Sequence, residues 1–217
     1  DYSQPDEKAP IPANGKISVV RVSEEILLQT EETAYNNSYQ DDPNTELDTT
    51  SVLVPGQIGL VVSRERLRLE DGIEKGKISE GPWKASDPEE GVLGRGTKVV
   101  VRTETINGET IEYWRKVSVY ATSYKPSSQG GGTGTASGIP LTKGIIAVTR
   151  AWYLGMKLQP VYVPGYGRGI IADTGGGIPG RYWIDLGYDD ENYESWHFWT
   201  TLYFLTPVPG YIPVVLP

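Results

Sequence analysis

The sequence predicts a mainly β protein. Short apolar runs alternate with glycine-containing turns, and apolar residues recur at the period-two spacing of strands, with almost no helical periodicity. Residues 64–70 alternate strictly, with three arginines on one face and Glu65 with two leucines on the other. Asp71-Gly72, which follows, is a turn signal of the hairpin kind. These observations predict strands joined by tight turns.

Composition and alternation locate further elements along the chain. Residues 16–33 begin with β-branched side chains and are predicted to form one or two strands. Residues 36–50 are polar and contain Pro43, so a loop is predicted there. Two alternating segments flank Asn107-Gly108, which predicts a hairpin with a type I′ turn whose second strand continues into the following domain.

Charge and composition exclude several classes of partner. The net charge is −8 and the lysines and arginines are scattered, so there is no basic patch for a nucleic acid or an anionic membrane. Cysteine is absent, which rules out disulfides, thiolate metal sites and a cysteine nucleophile. His197 is the single histidine; it lies among aromatics, is expected to be packed, and cannot make a multi-histidine zinc site. No metal or cofactor is predicted, and no apolar run is long enough to span a bilayer.

The length allows two domains with extended ends. Residues 1–16 are polar and contain several prolines, which suggests a flexible tether left after removal of a leader or an anchor; a trimmed boundary is an equal alternative. We expect a β module over residues 17–115 and a second domain over residues 116–206. Residues 207–217 are rich in proline and are predicted to run extended over the surface.

The stretch from Ile170 to Asp189 has the organisation of a site. An apolar run directly precedes Asp173, which is followed by a turn with three glycines, and a second apolar run directly precedes Asp185. Two carboxylates therefore stand at the ends of two strand-like segments, and glycines let a ligand or a strand come close. Taken singly, each aspartate could equally be a turn residue or a satisfied carboxylate at a strand end.

Residues 54–59 read V-P-G-Q-I-G, a predicted strand and turn follow up to Gly72, and residues 91–97 read G-V-L-G-R-G-T. These motifs carry a resemblance to the five-glycine (G5) domain of bacterial cell-surface proteins. It covers about residues 17–97. It implies an extended sheet that binds aminosugar polymers or serves as a spacer beside peptidoglycan enzymes.

From Tyr120 onward the chain contains Y-A-T-S-Y-K-P, I-I-A-D-T-G-G-G and Y-W-I-D-L in that order. With these motifs it resembles, over about residues 116–205, the 3D (three-aspartate) domain. That domain is related to the catalytic barrel of membrane-bound lytic transglycosylase A and to the stationary-phase survival proteins of Gram-positive bacteria. The resemblance implies a six-stranded double-psi β-barrel, and the short apolar runs and glycine turns fit a small closed barrel.

Two of the three aspartates of that family have counterparts in this chain. The A-D-T-G-G motif falls on residues 172–176 and the I-D-L motif on residues 184–186, which matches Asp173 and Asp185. The third aspartate normally lies in an A-V-D-P stretch, which reads A-V-T-R here, with Thr149 in place of the carboxylate. Asp185 matches the presumed catalytic acid of the transglycosylase relatives.

The resemblance implies cleavage of a glycosidic bond by a lytic transglycosylase. One carboxylic acid protonates the leaving oxygen and then accepts the proton of the sugar's own C6 hydroxyl, which closes a 1,6-anhydro ring. We assign this role to Asp185, because apolar surroundings that include Tyr182 and Trp183 should raise its pKa towards neutral. Asp173, better hydrated among glycine amides, should stay ionised and orient Asp185 or stabilise the cation.

A glycan groove would need flat aromatic surfaces. Trp152 and Tyr166 lie beside glycine turns and are the preferred groove candidates, although large rings are also the usual filling of small barrels. The predicted substrate-binding residues are Trp152, Tyr166, Thr174, Gly175, Gly176 and Trp183.

The sequence therefore predicts a secreted or surface-tethered bacterial protein that cleaves peptidoglycan glycan strands, with two alternatives. Because Thr149 replaces an aspartate, the barrel could bind cell-wall glycan without cleaving it. Asp-Thr-Gly after two apolar residues is also the aspartic-protease signature, but the chain has one copy and would need to dimerise. Cleaved glycan, intact but retained glycan, and cleaved peptide would distinguish the three functions.

Overall fold

The computed structural model describes residues 1–214 and residue 216, and it is mainly β, as predicted. The strands of the described part are β1 (Tyr2–Gln4), β2 (Ser18–Val20), β3 (Val22–Thr33), β4 (Asn37–Glu46), β5 (Thr50–Val54), β6 (Gly59–Glu70), β7 (Ile73–Ser86), β8 (Gly91–Lys98), β9 (Arg102–Ile106), β10 (Glu109–Tyr124), β11 (Ile145–Thr149), β12 (Pro160–Val163), β13 (Gly167–Gly175), β14 (Trp183–Gly187) and β15 (His197–Leu205). The helical segments are α1 (Arg150–Met156) and two 3₁₀ turns (Pro126–Gln129 and Asp190–Asn192).

The chain divides into two compact units. Unit 1 comprises residues 1–40 and 52–93, and unit 2 comprises residues 41–51 and the described residues from 94 onward. The sheets outside the large sheet of unit 2 have the strand orders β1-β2, β3-β6-β7 and β4-β8-β5.

Both predicted hairpin turns are confirmed. Asp71 and Gly72 join β6 to β7 with φ of 50° and 79°, the left-handed conformation that a type I′ turn requires at both positions. Asn107 and Gly108 do the same between β9 and β10, with φ of 52° and 84°. β10 then continues for 16 residues and also pairs with β14 and β15, so one strand belongs both to the hairpin and to the large sheet.

Unit 1 is held by strand pairing more than by a buried core. Large apolar side chains of β3, such as Ile26 and Leu28, are exposed. The predicted arginine face of β6 is cross-linked to β7, because Arg64 and Arg66 both contact the carboxylate of Glu80. Cross-strand pairs of this kind stabilise a sheet that buries little apolar surface.

Six strands of unit 2 pair in a closed cycle. β10 pairs with β14 in parallel, β14 with β11 antiparallel and β11 with β13 in parallel. β13 pairs with β12, β12 with β15 and β15 with β10, all antiparallel, which completes the cycle. Residues such as Val119, Ile146, Ile184 and Phe204 are fully buried in one hydrophobic cluster of this unit. Thr122 and Tyr124, which alternate with Val119 and Ala121 along β10, face the other way and line the cavity described in the next section.

The predicted loop over residues 36–50 is wrong in its first part, because β4 occupies Asn37–Glu46. β4 lies at the edge of its sheet, where one row of backbone groups needs no partner strand, so Pro43 is tolerated. Most of its side chains are exposed. A composition typical of a loop is therefore compatible with a paired edge strand.

The chain ends also differ from the predicted extended segments. At the start of the chain, β1 pairs with β2. Near the end, Ile212 packs against the main cluster, Leu216 is buried in it, and the guanidinium of Arg115 donates to the carbonyl oxygen of Pro213 at 2.7 Å. Val215 and Pro217, which also belong to the predicted surface tail, lie outside the described residues.

Candidate functional site

The two predicted aspartates lie on either side of one strand. Ala147 of β11 is opposite Asp173 of β13 and also opposite Asp185 of β14. On the far side of β14, Thr122 of β10 is opposite Asp185. Thr122, Asp185, Ala147 and Asp173 thus form a row across four neighbouring strands, and the usual strand spacing places the two aspartate Cα atoms about 10 Å apart.

A cavity of about 640 Å³ opens over this row, and we call it the Asp185 cavity. Both aspartates line it, together with Thr122, Tyr124 and Trp183. The glycine turn of residues 175–177 forms part of its wall. Of the predicted substrate-binding residues, the structure places Thr174, Gly175, Gly176 and Trp183 along the cavity.

Asp173 is held by three hydrogen-bond donors. The backbone N–H groups of Ala136 and Thr174 each donate to its Oδ1 at 2.8 Å. The hydroxyl of Tyr124 donates to its Oδ2 at 2.9 Å. Burial and then the negative charge of Asp173 raise the pKa of Tyr124 far above its usual value, so this phenol keeps its proton and remains a donor. The carboxylate is therefore fixed in orientation at the cavity wall.

Asp185 is in a different environment. Its pKa is raised from 3.8 to about 6, first by burial and in addition by the charge of Asp173, while the hydrogen bond from Thr122 acts in the opposite direction. The Thr122 hydroxyl donates to Asp185 Oδ1 at 2.6 Å and accepts from Trp183 Nε1 at 2.9 Å. Within the described residues Oδ2 has no protein donor, so this oxygen is left for a ligand. Asp185 can thus carry or release a proton near neutral pH.

His197 is exposed and not packed as predicted. It stands opposite Thr122 on β15, on the side of β10 away from Asp185. Its positive charge when protonated lowers the pKa of Asp185, as the smallest of the four contributions. The aromatic neighbours in the sequence do not bury the ring because alternate residues of a strand face opposite sides.

Trp152 and Tyr166 lie in the core and not in a groove. Trp152 is buried on α1 with Tyr153 and Met156, at the spacing of one helical face. Tyr166 is buried too, and its hydroxyl donates to the carbonyl oxygen of Gly187 at 2.5 Å. Of the two roles considered for these rings, a glycan groove or the filling of the barrel, the structure fits the filling of the barrel.

Thr149, at the position where the predicted 3D resemblance would require an aspartate, lies close to the glycine turn. It ends β11, two residues beyond Ala147 on the same face, and is opposite Gly175. Its Cγ2 lies 2.9 Å from where a Cβ on Gly177 would be. A methyl and a hydroxyl group therefore lie beside the glycine turn at this position, and not the carboxylate that the 3D resemblance predicts.

Gly175 is required by the ring that covers it. A Cβ at this position would lie 2.4 Å from Cη2 of Trp183, whose indole N–H orients Thr122. We expect Gly175→Ala to lower the free energy of unfolding by about 1–3 kcal/mol, as overpacking does. Gly176→Ala is the matched control, because no described heavy atom lies within 4 Å of its added Cβ. Urea unfolding of both variants measures the difference, and equal stabilities would contradict this packing.

Sequence reasoning missed the residues that orient the carboxylates. Thr122 and Tyr124 belong to the motif Y-A-T-S-Y-K-P, which contributed to the 3D resemblance but for which no role was predicted. Their period-two spacing after Tyr120 places them on one face of β10 and could have identified them. The Ala136 N–H carries no side-chain signal, so only the folded loop reveals it.

The described residues show two further absences. They contain no group of three or more histidine or acidic side chains that could hold a metal ion. No helix among them has the length and apolarity needed to cross a bilayer.

Comparison with known proteins finds similarity to the G5 domain in the first part of the chain. The sequence profile of the G5 domain family matches residues 24–98, in agreement with the predicted resemblance. Two solved structures are similar to the chain: the G5 domain of an IgA1 protease, with 16% identity, a TM-score of 0.29, and coverage of 37% of this chain and 95% of that one, and HP0197-G5, with 17% identity, a TM-score of 0.25, and coverage of 36% and 97%. No curated protein matches the chain. The Asp185 cavity lies beyond residue 98, where the G5 match ends, so the 3D resemblance over about residues 116–205 stays a prediction.

Proposed function

We propose that this protein binds the glycan strands of the bacterial cell wall and acts outside the cell or in its envelope. The observation that carries the proposal is the G5 match over residues 24–98. G5 domains are carbohydrate-binding modules of extracellular and cell-wall-associated proteins. The net charge of −8 also suits a partner other than a nucleic acid or an anionic membrane.

We propose the Asp185 cavity as the glycan-binding site of unit 2. We assign the closed cycle of six strands to the double-psi β-barrel that the 3D resemblance implies, with the domain spanning residues 116–206 and a G5-type module over residues 17–115. The cavity offers carboxylates, a threonine hydroxyl and the backbone of residues 175–177, all of which hydrogen-bond to sugar hydroxyls and amides. Its volume of about 640 Å³ is within the range of ligand sites.

Amide hydrogen exchange tests where the glycan binds. The full chain is incubated with solubilised glycan strands, and exchange is followed by mass spectrometry of peptides. We expect slower exchange in peptides that cover residues 119–124 and 173–185. Slower exchange confined to residues 24–98 would move the site to the G5 module, and unchanged exchange along the chain would contradict binding.

A second candidate function is lytic cleavage of the bound strand, and the environment of Asp185 favours it. A half-buried carboxyl group with a pKa of about 6 can donate its proton to the glycosidic oxygen as the C1–O bond breaks. The resulting carboxylate then takes the proton of the C6 hydroxyl as that oxygen bonds to C1, which forms the 1,6-anhydro ring. Asp173, fixed by Tyr124, would supply negative charge near the developing cation.

Two features make binding without cleavage the first choice. Thr149 removes one of the three carboxylates of the related pattern. The G5 match supports binding alone, whereas cleavage rests on the geometry around Asp185. An aspartic protease is disfavoured, because its two carboxylates must share a proton. The chain has a single Asp-Thr-Gly, and β11 separates Asp173 from Asp185, so one chain does not supply the pair.

A further inference from the structure

A cation lies over a half-buried and an exposed aromatic ring near the Asp185 cavity. The guanidinium carbon of Arg181 is 4.8 Å from the ring centroid of Tyr120 and 5.8 Å from that of Trp199. The two rings meet edge to face at 5.7 Å. Trp199 is 53% exposed, so much of its ring remains open to a ligand. We call Tyr120, Arg181 and Trp199 the Arg181 platform.

Arg181 has no acidic partner within the described residues. Six other arginines of the chain pair with a carboxylate: Arg64, Arg66, Arg68, Arg102, Arg115 and Arg168. The side chains of Arg21 and Arg150 are also exposed and have no acidic partner among the described residues, but of these three arginines Arg181 is the one that lies over aromatic rings. Its planar fork of donors is suited to a carboxylate supplied from outside.

The platform continues the surface of the cavity. Tyr120 and Thr122 are two residues apart on β10 and therefore lie on the same face, and Thr122 lines the cavity. The backbone N–H of Tyr120 donates to the carbonyl oxygen of Tyr182 at 2.8 Å, which fixes Arg181 beside this face. Trp199 is opposite Tyr120 in the register of β15 with β10. A glycan strand that occupies the Asp185 cavity can therefore extend onto the Arg181 platform.

We propose that the Arg181 platform binds a carboxylate-bearing aminosugar unit of the glycan strand whose neighbouring unit occupies the Asp185 cavity. This inference rests on the proposed function. The flat C–H face of the sugar packs on the exposed ring of Trp199, as apolar surfaces do on aromatic rings. The carboxylate, from the lactyl ether of the sugar or from a peptide attached to it, pairs with Arg181. Such a subsite would make the protein prefer acidic glycan strands to neutral ones.

Three soluble probes of equal length test the proposal by titration against the full chain. They are a neutral N-acetylglucosamine oligomer, glycan strands stripped of peptide with free lactyl carboxylates, and strands that retain their peptides. The variants are Arg181→Gln and Trp199→Ala. Lys143→Gln is the matched control, because Lys143 also lies over two tyrosine rings, Tyr166 and Tyr188, and both of these rings are buried.

We expect the wild type to bind the acidic strands about tenfold more tightly than the neutral oligomer, the gain typical of a charge-assisted pair. Arg181→Gln should lose this preference, Trp199→Ala should bind all probes about tenfold more weakly, and the control should match the wild type. The acidic probe whose affinity falls more from wild type to Arg181→Gln identifies the source of the carboxylate. If the wild type binds glycan and both variants bind equally well, the platform is not a subsite. If the wild type binds no probe, the proposed function fails as well.

Discussion

Replacing Asp185 with asparagine is expected to stabilise the folded protein by up to about 3 kcal/mol at pH 8 and to have little effect at pH 4. The pKa of Asp185 is raised from 3.8 to about 6 in the fold, mainly by burial, and a tenfold change in proton affinity corresponds to about 1.4 kcal/mol. The folded state therefore favours the protonated carboxyl group. An asparagine reproduces this neutral form and still offers Thr122 an oxygen to donate to.

The sign of the pH dependence follows from the raised pKa. The contribution of Asp185 to stability is most favourable below about pH 4, falls as the pH rises towards 6, and is constant above that. Urea unfolding at pH 4, 5, 6 and 8 measures the gap between wild type and Asp185→Asn. Asp190→Asn is the control, because Asp190 is exposed and a hydrogen bond from Ser127 lowers its pKa, so no stabilisation at pH 8 is expected. A gap of equal size at every pH would contradict the assigned environment.

If the second candidate function holds, Asp185→Asn is also expected to abolish the release of 1,6-anhydro products from peptidoglycan. An asparagine cannot donate or accept the proton, and general acid–base catalysis contributes at least about 100-fold to such reactions. Purified peptidoglycan is incubated with each protein, and the released muropeptides are analysed by mass spectrometry. Asp190→Asn should retain the wild-type rate.

Other products would assign the chemistry differently. Reducing-end sugars would mean that water attacks, as in a hydrolase. Intact glycan with the wild type would leave a binding module, and the variant Thr149→Asp would then test whether the missing third carboxylate is the cause. Release of anhydro products by Asp185→Asn at the wild-type rate would exclude Asp185 as the acid.

Local signals in the sequence predicted much of the strand structure. The hairpins at Asp71-Gly72 and Asn107-Gly108 were predictable because a type I′ turn needs two positive φ angles, which few residue pairs adopt easily. Asp173 and Asp185 both line one cavity, but neither ends its strand as predicted. Asp185 is the middle residue of β14, and Asp173 lies two residues before the end of β13. That prediction depended on the family resemblance as well as on the residues.

Other elements depend on tertiary pairing and left no local signal. β4 is polar and contains a proline, so only its partner strand makes it a strand. α1 has seven residues, which is too short for helical periodicity to be detected, and this hid the burial of Trp152. The proximity of Arg181 to Tyr120 and Trp199 arises from three separate parts of the chain. Such contacts require the register of the strands, which the sequence alone does not specify.

Co-sedimentation of the full chain with purified cell-wall sacculi tests the central claim of glycan binding most directly. The sacculi are stripped of proteins and anionic polymers, and cellulose serves as the control polysaccharide. We predict that the protein pellets with the sacculi in a saturable manner, is released by soluble glycan strands, and stays in the supernatant with cellulose. Protein that remains in the supernatant at every concentration of sacculi would contradict the account.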